Sequence, residues 1–273
     1  MIDQYAVIGN PISHSKSPLI HEMFAKQTDQ NLRYVALLGE AGQLEKEVEK
    51  FKSENGKGMN VTVPFKQDAW ALVEKRNKHA EKAGAVNTII IQESGSLVGD
   101  NTDGIGLVSD LINNLSFDLK NKNILILGAG GAVRGVLGPI LAQQPNSLVV
   151  ANRTKSKADD LAELFSDEGN ISSEAFSRLE GMPFDLIING TAASLSGDVP
   201  PIPESIVKGT ACYDMMYSAQ DTAFMSWAKK CGATDVWDGL GMLVEQAAES
   251  FYLWRNVRPD TQVVISHLRS SFK

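Results

Sequence analysis

Two residues in this chain have the types and setting for acid–base chemistry. Lys66 ends the stretch that begins Asn60-Val-Thr62, and Asp103 lies in the turn that runs from Asp100 to Gly104. Reducing a ketone by hydride leaves a developing alkoxide, which needs a proton or a positive charge. A lysine ammonium supplies either, and an adjacent carboxylate can hold it in place and relay protons. Asn60, Thr62, Asn87 and Asp103 are short polar side chains at expected strand ends near that one lysine, a set able to ligate a polyhydroxylated ring. Upstream, Ser17 reads as a helix N-cap and Pro18 as the first helical residue. Ser13 and Ser15 then precede the positive end of a helix, a position suited to an anionic group.

A second set of residues points to a nucleotide. The apolar run Ile124 to Leu127 passes into Gly128-x-Gly130-x-x-Val133. Glycines there permit a sharp turn and bring backbone N–H groups to a pyrophosphate at the next helix start. The third fingerprint position is Val133 rather than Gly or Ala. An NAD site carries an acid about 20 residues further on, accepting from the ribose 2′-hydroxyl. Here the next apolar run ends at Asn152 and is followed by Arg153, Thr154 and Lys155, with no carboxylate before Asp159 and Asp160. A guanidinium grips a phosphate bidentately, so the expected cofactor is NADP with its 2′-phosphate on Arg153 and Thr154.

Other chemistries lack their markers. His14, His21, His79 and His267 form no ligand cluster, so no metal is expected. No Gly-x-Ser-x-Gly elbow and no Walker loop occurs. Cys212 and Cys231 are too few for a disulfide framework and read as thiols of a reducing compartment. The 273 residues are 43% hydrophobic and 22% charged, with a net charge of −7. That is an ordinary globular composition with a balance that disfavours nucleic acid and anionic membranes. The start MIDQY has no secretory pattern, so the expected location is cytoplasmic. The apolar stretch 124–142 contains Arg134, five glycines and Pro139, and reads as strand, turn and helix rather than a membrane span.

These residues need elements to position them. Short apolar runs at 5–8, 34–38, 59–63, 88–92, 124–127, 148–151, 186–188 and 211–214 read as strands. Between them, 17–27, 43–53, 103–114, 131–143, 156–165, 222–231 and 240–256 read as helices. Strands alternating with helices predict an α/β fold with parallel sheets. In the last helix Leu240, Val244, Ala247, Ala248 and Phe251 form one apolar stripe, leaving Gln246 off it and free to face a cleft. The expected division is a first domain from 1–103 plus 239–273 and a second from 104–238.

Taken together, residues 10–18, 60–66, 83–88, 100–104, 128–132, 152–154, 189–191, 213–217 and 238–248 resemble the shikimate dehydrogenases, in order and along nearly the whole chain. The resemblance implies an α/β substrate-binding domain and a Rossmann-like NADP-binding domain flanking a cleft. It implies reversible NADPH-dependent reduction of 3-dehydroshikimate to shikimate, a small-molecule substrate, in aromatic amino-acid biosynthesis. By position, Ser13 and Ser15 look like ligands of the substrate carboxylate. Asn60, Thr62, Asn87, Asp103 and Gln246 look like ligands of the ring hydroxyls, with Tyr217 closing the site and Lys66 as acid–base residue partnered by Asp103. Gly128, Ala129, Gly130, Gly131, Ala132, Asn152, Arg153, Thr154, Thr191, Met215 and Gly239 resemble the NADP contacts. The pattern departs at Ala192-Ala193, where relatives often have serines, and at Ala223, where a proline is common. An NAD-linked quinate/shikimate dehydrogenase, a methylenetetrahydrofolate dehydrogenase and a non-catalytic NADP sensor are the competing readings. Arg153, the paired serines and the intact Lys66–Asp103 pair disfavour them in turn. Monomer and homodimer are both compatible with the sequence.

Overall fold

Each apolar run in this chain becomes a strand, and most amphipathic stretches become the helix that covers it. The computed structural model describes residues 2–193 and 197–272. One compact unit runs to Gly106 and resumes over Val244–Leu268; a second comprises Leu107–Leu243 and the residues from Arg269 onward. Residues 239–243 and 269–272, expected with the first domain, thus pack with the second, and 104–106 with the first. Arg269 explains part of this, since its Nη1 and Nη2 donate to both carboxylate oxygens of Asp238 at 2.7 and 2.6 Å.

The first unit contains β1 (Asp3–Gly9), α1 (Ser17–Gln27), β2 (Leu32–Leu38), α2 (Leu44–Ser53), β3 (Gly56–Val61), α3 (Lys66–Leu72), β4 (Lys75–Arg76), α4 (Lys78–Ala83), β5 (Thr88–Ile91), β6 (Leu97–Asp100) and most of α5 (Asp103–Ser109). Its sheet has the order β2-β1-β3-β5-β6-β4. β1 runs parallel to β2 and β3, whereas β5 is antiparallel to β3 and β6. That register sets Thr88 opposite both Asn60 and Asp100. The end of β3, the start of β5 and the end of β6 therefore meet at one end of the sheet. Ala6, Ile8, Met59, Val61 and Ile89 pack a core with Val48, Phe51 and Phe65 from the helical side. Successive strand residues face opposite ways, and Tyr5 meets the ring of Trp254 at 4.8 Å.

The second unit contains β7 (Asn123–Leu127), α6 (Gly131–Leu141), β8 (Ser147–Asn152), α7 (Lys155–Leu164), β9 (Ile171–Ala175), β10 (Leu186–Asn189), β11 (Ala211–Asp214), α8 (Ala223–Lys230) and β12 (Val236–Asp238). All pairs are parallel, in the order β12-β11-β10-β7-β8-β9. Counted from β7, this is the doubly wound order 3-2-1-4-5-6, which reverses between β7 and β10. Ile124, Ile126, Leu148, Val150, Leu186 and Ile188 belong to one core. Their neighbours Leu125, Leu127, Val149, Ala151 and Ile187 belong to another. Covered on both faces, these strands read as unbroken apolar runs rather than alternating ones.

The chain ends with α9 (Leu240–Arg255) and α10 (Thr261–Ser270). All five residues of the stripe read in α9 are buried. The helix expected over 103–114 is α5 followed by a π-helical turn, Asp110–Asn114. There the buried Asp110 carboxylate accepts from Tyr213 Oη at 2.7 Å and Asn114 Nδ2 at 2.9 Å. Among the described residues, no helix is long and apolar enough to cross a membrane, and no group of three or more His, Cys, Asp or Glu could hold a metal.

Candidate active site

In the first unit, backbone contacts bring Lys66 and Asp103 to the same place. Lys66 opens α3, and its carbonyl accepts from Val86 N at 2.9 Å, tying the helix start to the segment entering β5. Asp103 opens α5; its N–H donates to Asn101 Oδ1 at 3.2 Å, and Asn101 Nδ2 donates to Ala85 O at 3.1 Å. Both turns are thereby fastened to the approach to β5. Lys66 Nζ then donates to Asp103 Oδ2 at 2.5 Å, and Asn87 Nδ2 donates to Asp103 Oδ1 at 2.8 Å. The Lys66 and Asp103 side chains are 28% and 16% exposed. The pair is accessible yet sheltered, so salt screens it less than it would a surface pair.

Behind the pair lies a network of neutral polar groups. Asn87 Oδ1 accepts from Thr102 N at 2.9 Å and Thr88 Oγ1 at 2.9 Å. Asn60 Nδ2 donates to Asn87 O, Thr88 Oγ1 and Ser250 Oγ at 3.2, 3.1 and 2.9 Å. Asn60 Oδ1 accepts from Tyr34 Oη at 2.7 Å. Burial holds the Tyr34 phenol well above the usual tyrosine value, so it remains a donor. Asn60 is therefore engaged by protein at both ends of its amide. Gln246 joins through Thr102, whose Oγ1 donates to Gln246 Oε1 at 3.5 Å.

The loop carrying the two serines adjoins this network. Asn10 N donates to Val63 O at 3.0 Å, one residue past the half-buried Thr62. Ser13 is exposed and Ser15 half-buried. Ser17 is not the helix cap expected from sequence: Lys16 takes that position with helical backbone angles, and Ser17 is the first helical residue. Its N–H donates instead to Ser15 Oγ at 3.3 Å.

In the second unit, the expected cofactor residues gather at the carboxyl ends of the parallel strands. Gly128 to Gly130 link β7 to α6, which opens with Gly131 and Ala132; Asn152 ends β8 and Arg153 and Thr154 follow it, and Thr191, Met215 and Gly239 follow β10, β11 and β12. Gly128 has φ of +108°, and a Cβ there would lie 3.2 Å from Gly190 O and 3.3 Å from Thr191 Cγ2. The turn thus sits at the reversal between β7 and β10, where open α/β sheets bind ligands. Gly239 packs so closely on Met215 that a Cβ would fall 2.2 Å from its carbonyl oxygen. Asn152 Nδ2 donates to Thr154 O at 2.9 Å, closing the turn that presents the exposed Arg153. Tyr217 is half-buried, its ring 6.3 Å from that of Phe272.

Sequence reasoning passed over Tyr34, Thr88, Thr102 and Ser250. Thr88 and Thr102 lie within recognised segments, and Ser250 lies one helical turn after Gln246, on the same face of α9. Tyr34 has no comparable signal.

Comparison with known proteins gives matches along nearly the whole chain. Family models match for the shikimate dehydrogenase substrate binding domain over residues 7–89, shikimate / quinate 5-dehydrogenase over 110–196 and the shikimate 5′-dehydrogenase C-terminal domain over 239–269. A shikimate dehydrogenase (NADP(+)) of Hahella chejuensis is 57% identical over 269 residues, 98% of this chain and 99% of the relative. The solved Ael1 enzyme of Pseudomonas putida superposes with a TM-score of 0.94 at 45% identity, over 97% of this chain and 98% of that one. Shikimate 5-dehydrogenase of Thermus thermophilus, solved with NADP(H) and shikimate, gives a TM-score of 0.87 at 30% identity, over 98% and 99%. By sequence along its whole length and by fold, the chain belongs to the shikimate dehydrogenase family.

Proposed function

We propose that this chain catalyses the reversible NADP-dependent oxidation of shikimate to 3-dehydroshikimate, with Lys66 and Asp103 as its acid–base pair. The observation that carries the reading is the 2.5 Å contact from Lys66 Nζ to Asp103 Oδ2, with the other carboxylate oxygen held by Asn87. In the reducing direction the Lys66 ammonium gives a proton to the oxygen that develops negative charge, while Asp103 keeps it aimed. In the oxidising direction the pair takes the hydroxyl proton. Ser13 and Ser15 take the substrate carboxylate. Asn60, Thr62, Asn87, Asp103 and Gln246 take ring hydroxyls.

The second unit's own residues fit the cofactor. A Cβ on Gly130 or Gly131 would meet nothing within 4 Å, so the protein's packing does not require either glycine. They leave an open cradle in front of α6, where backbone N–H groups suit a pyrophosphate. Arg153 and Thr154, with no acid beside them, suit a 2′-phosphate. Thr191, Met215 and Gly239 line the remaining strand ends. When bound, NADP(H) supplies or accepts the hydride. The NADP(+) in the relative's name and the NADP(H) and shikimate in the solved neighbour support this assignment. On this reading the enzyme works in the cytoplasm, as a monomer or homodimer.

The test is nicotinamide absorbance with shikimate and quinate each crossed against NADP and NAD. Turnover with shikimate and NADP above the other three pairs is expected. Faster turnover with NAD would overturn the role given to Arg153, and no turnover by folded protein would overturn the reaction.

A further inference from the structure

We infer that Thr88 and Ser250 are positioning residues: their buried hydroxyls fix the Asn87 amide so that it holds Asp103 in place for Lys66. The inference rests on the acid–base reading above. Both residues are fully buried, so neither can touch a ligand. Their place in the hydrogen-bond chain is directional. Asn87 Oδ1 can only accept, and it takes the Thr102 N–H at 2.9 Å and the Thr88 hydroxyl hydrogen at 2.9 Å. With its hydrogen on Asn87, Thr88 Oγ1 accepts from Asn60 Nδ2 at 3.1 Å and lies 2.8 Å from Ser250 Oγ, whose one hydrogen is shared between Thr88 and the Gln246 carbonyl at 3.1 Å. Ser250 Oγ in turn accepts from Asn60 Nδ2 at 2.9 Å.

The Thr102 N–H, which can only donate, sets which way the Asn87 amide faces, and the Thr88 hydroxyl, with its hydrogen on Oδ1, holds it there. Turned over, it would set NH2 against the Thr102 N–H and the Thr88 hydroxyl, and its oxygen against the Asp103 carboxylate. In the observed orientation Asn87 Nδ2 donates to Asp103 Oδ1, leaving Oδ2 for Lys66. The Thr88 hydroxyl is thus one bond from the group that orients the carboxylate. Ser250 anchors that hydroxyl to α9, the helix that carries Gln246.

The experiment is steady-state kinetics with shikimate and NADP on the wild type, Thr88→Val, Thr88→Ser and Ser250→Ala. Small misplacements in an active site cost up to about 100-fold in rate. Thr88→Val keeps the shape and loses the hydroxyl, and its kcat is expected to fall roughly 10- to 100-fold. KM for NADP should not move, because the cofactor turn lies in the other unit. Thr88→Ser removes a methyl but keeps the hydroxyl, and should restore most of the rate. A packing role reverses that order, with valine active and serine impaired, and would overturn the inference, as would wild-type kcat in folded Thr88→Val. Should Thr88→Val not fold, Ser250→Ala decides. A reduced kcat with unchanged KM for NADP supports the inference, and wild-type kcat refutes it. A wild type inactive on shikimate defeats the acid–base reading instead. The crystal structure of a folded variant then still reads the Asn87–Asp103 contact: lengthened, it supports the positioning role; unchanged at 2.8 Å, it refutes it.

Discussion

Lys66 and Asp103 meet because two turns are tied to one strand entry, and at the residue scale that geometry separates binding from chemistry. Asp103 is gripped from both sides, by Lys66 Nζ at 2.5 Å and Asn87 Nδ2 at 2.8 Å. Removing the lysine leaves the carboxylate oriented by Asn87, so substrate hydroxyls still find their acceptor. What disappears is the proton and charge that matter as the alkoxide develops. Lys66→Ala is therefore expected to lower kcat by about 100- to 10,000-fold, the range for general acid–base catalysis. KM for shikimate should move far less, since the lost interaction belongs to the transition state. Steady-state kinetics on folded variant checks this, and a wild-type kcat would take Lys66 out of the mechanism.

At the scale of elements, the site depends on α5 and α9 lying closer than side chains normally permit. A Cβ on Gly106 would fall 2.7 Å from both the backbone nitrogen and Cβ of Gln246. Gly106→Ala must push the helices apart, at a cost of about 1–3 kcal/mol for overpacking. It also withdraws Gln246 from Thr102. A lower urea midpoint together with a raised KM for shikimate is expected, and a variant unchanged in both would show that the contact carries no constraint. The sequence made most of this frame legible. Buried on both faces, β7, β8 and β10 announce themselves as apolar runs, and α9 by its stripe. β4 is two residues long and β12 three, too short for a period, while β9 reads ISSEA with no apolar alternation. In β6, Gly99 interrupts the pattern because Val86 and Val73 occupy the space its side chain would need. α3 and α4, at seven and six residues, are likewise below the length at which a helical stripe can be read. The candidate site residues stand out in the sequence because they cluster in turns with distinctive spacing. Thr88 and Ser250 were less so, since a buried hydroxyl in a strand or helix looks in sequence like any other small residue.

For the whole molecule, the N-terminal strand and residues 244–268 pack together in the first unit, and one buried histidine makes that unit's stability sensitive to pH. Arg255 Nη1 pairs with Asp3 Oδ2 at 2.5 Å, and Gln27 exchanges hydrogen bonds with the backbone of Asp260 at 3.1 and 3.0 Å. The helices from the C-terminal segment thus close over α1. Beneath them His21 stacks on Tyr34 at 4.1 Å, among Phe24, Phe251 and Trp254. Burial lowers the His21 pKa from 6.5 to about 3. As the pH falls below 6.5 the unfolded chain binds this proton while the folded chain does not, so stability drops progressively until about pH 3 and is level above neutrality. Between pH 7 and pH 5 the loss amounts to about 2 kcal/mol. Asp100 acts in the opposite sense, because burial raises its carboxyl above the usual value and the folded state takes that proton more readily. The wild-type slope mixes the two, and the comparison with His21→Phe separates them. Phenylalanine keeps the ring stack on Tyr34 and has no proton to gain. Urea midpoints measured at pH 7 and pH 5 should fall more for the wild type than for His21→Phe, by a difference equivalent to about 2 kcal/mol. Parallel falls in the two proteins would mean that water or a local opening lets His21 charge without unfolding the unit.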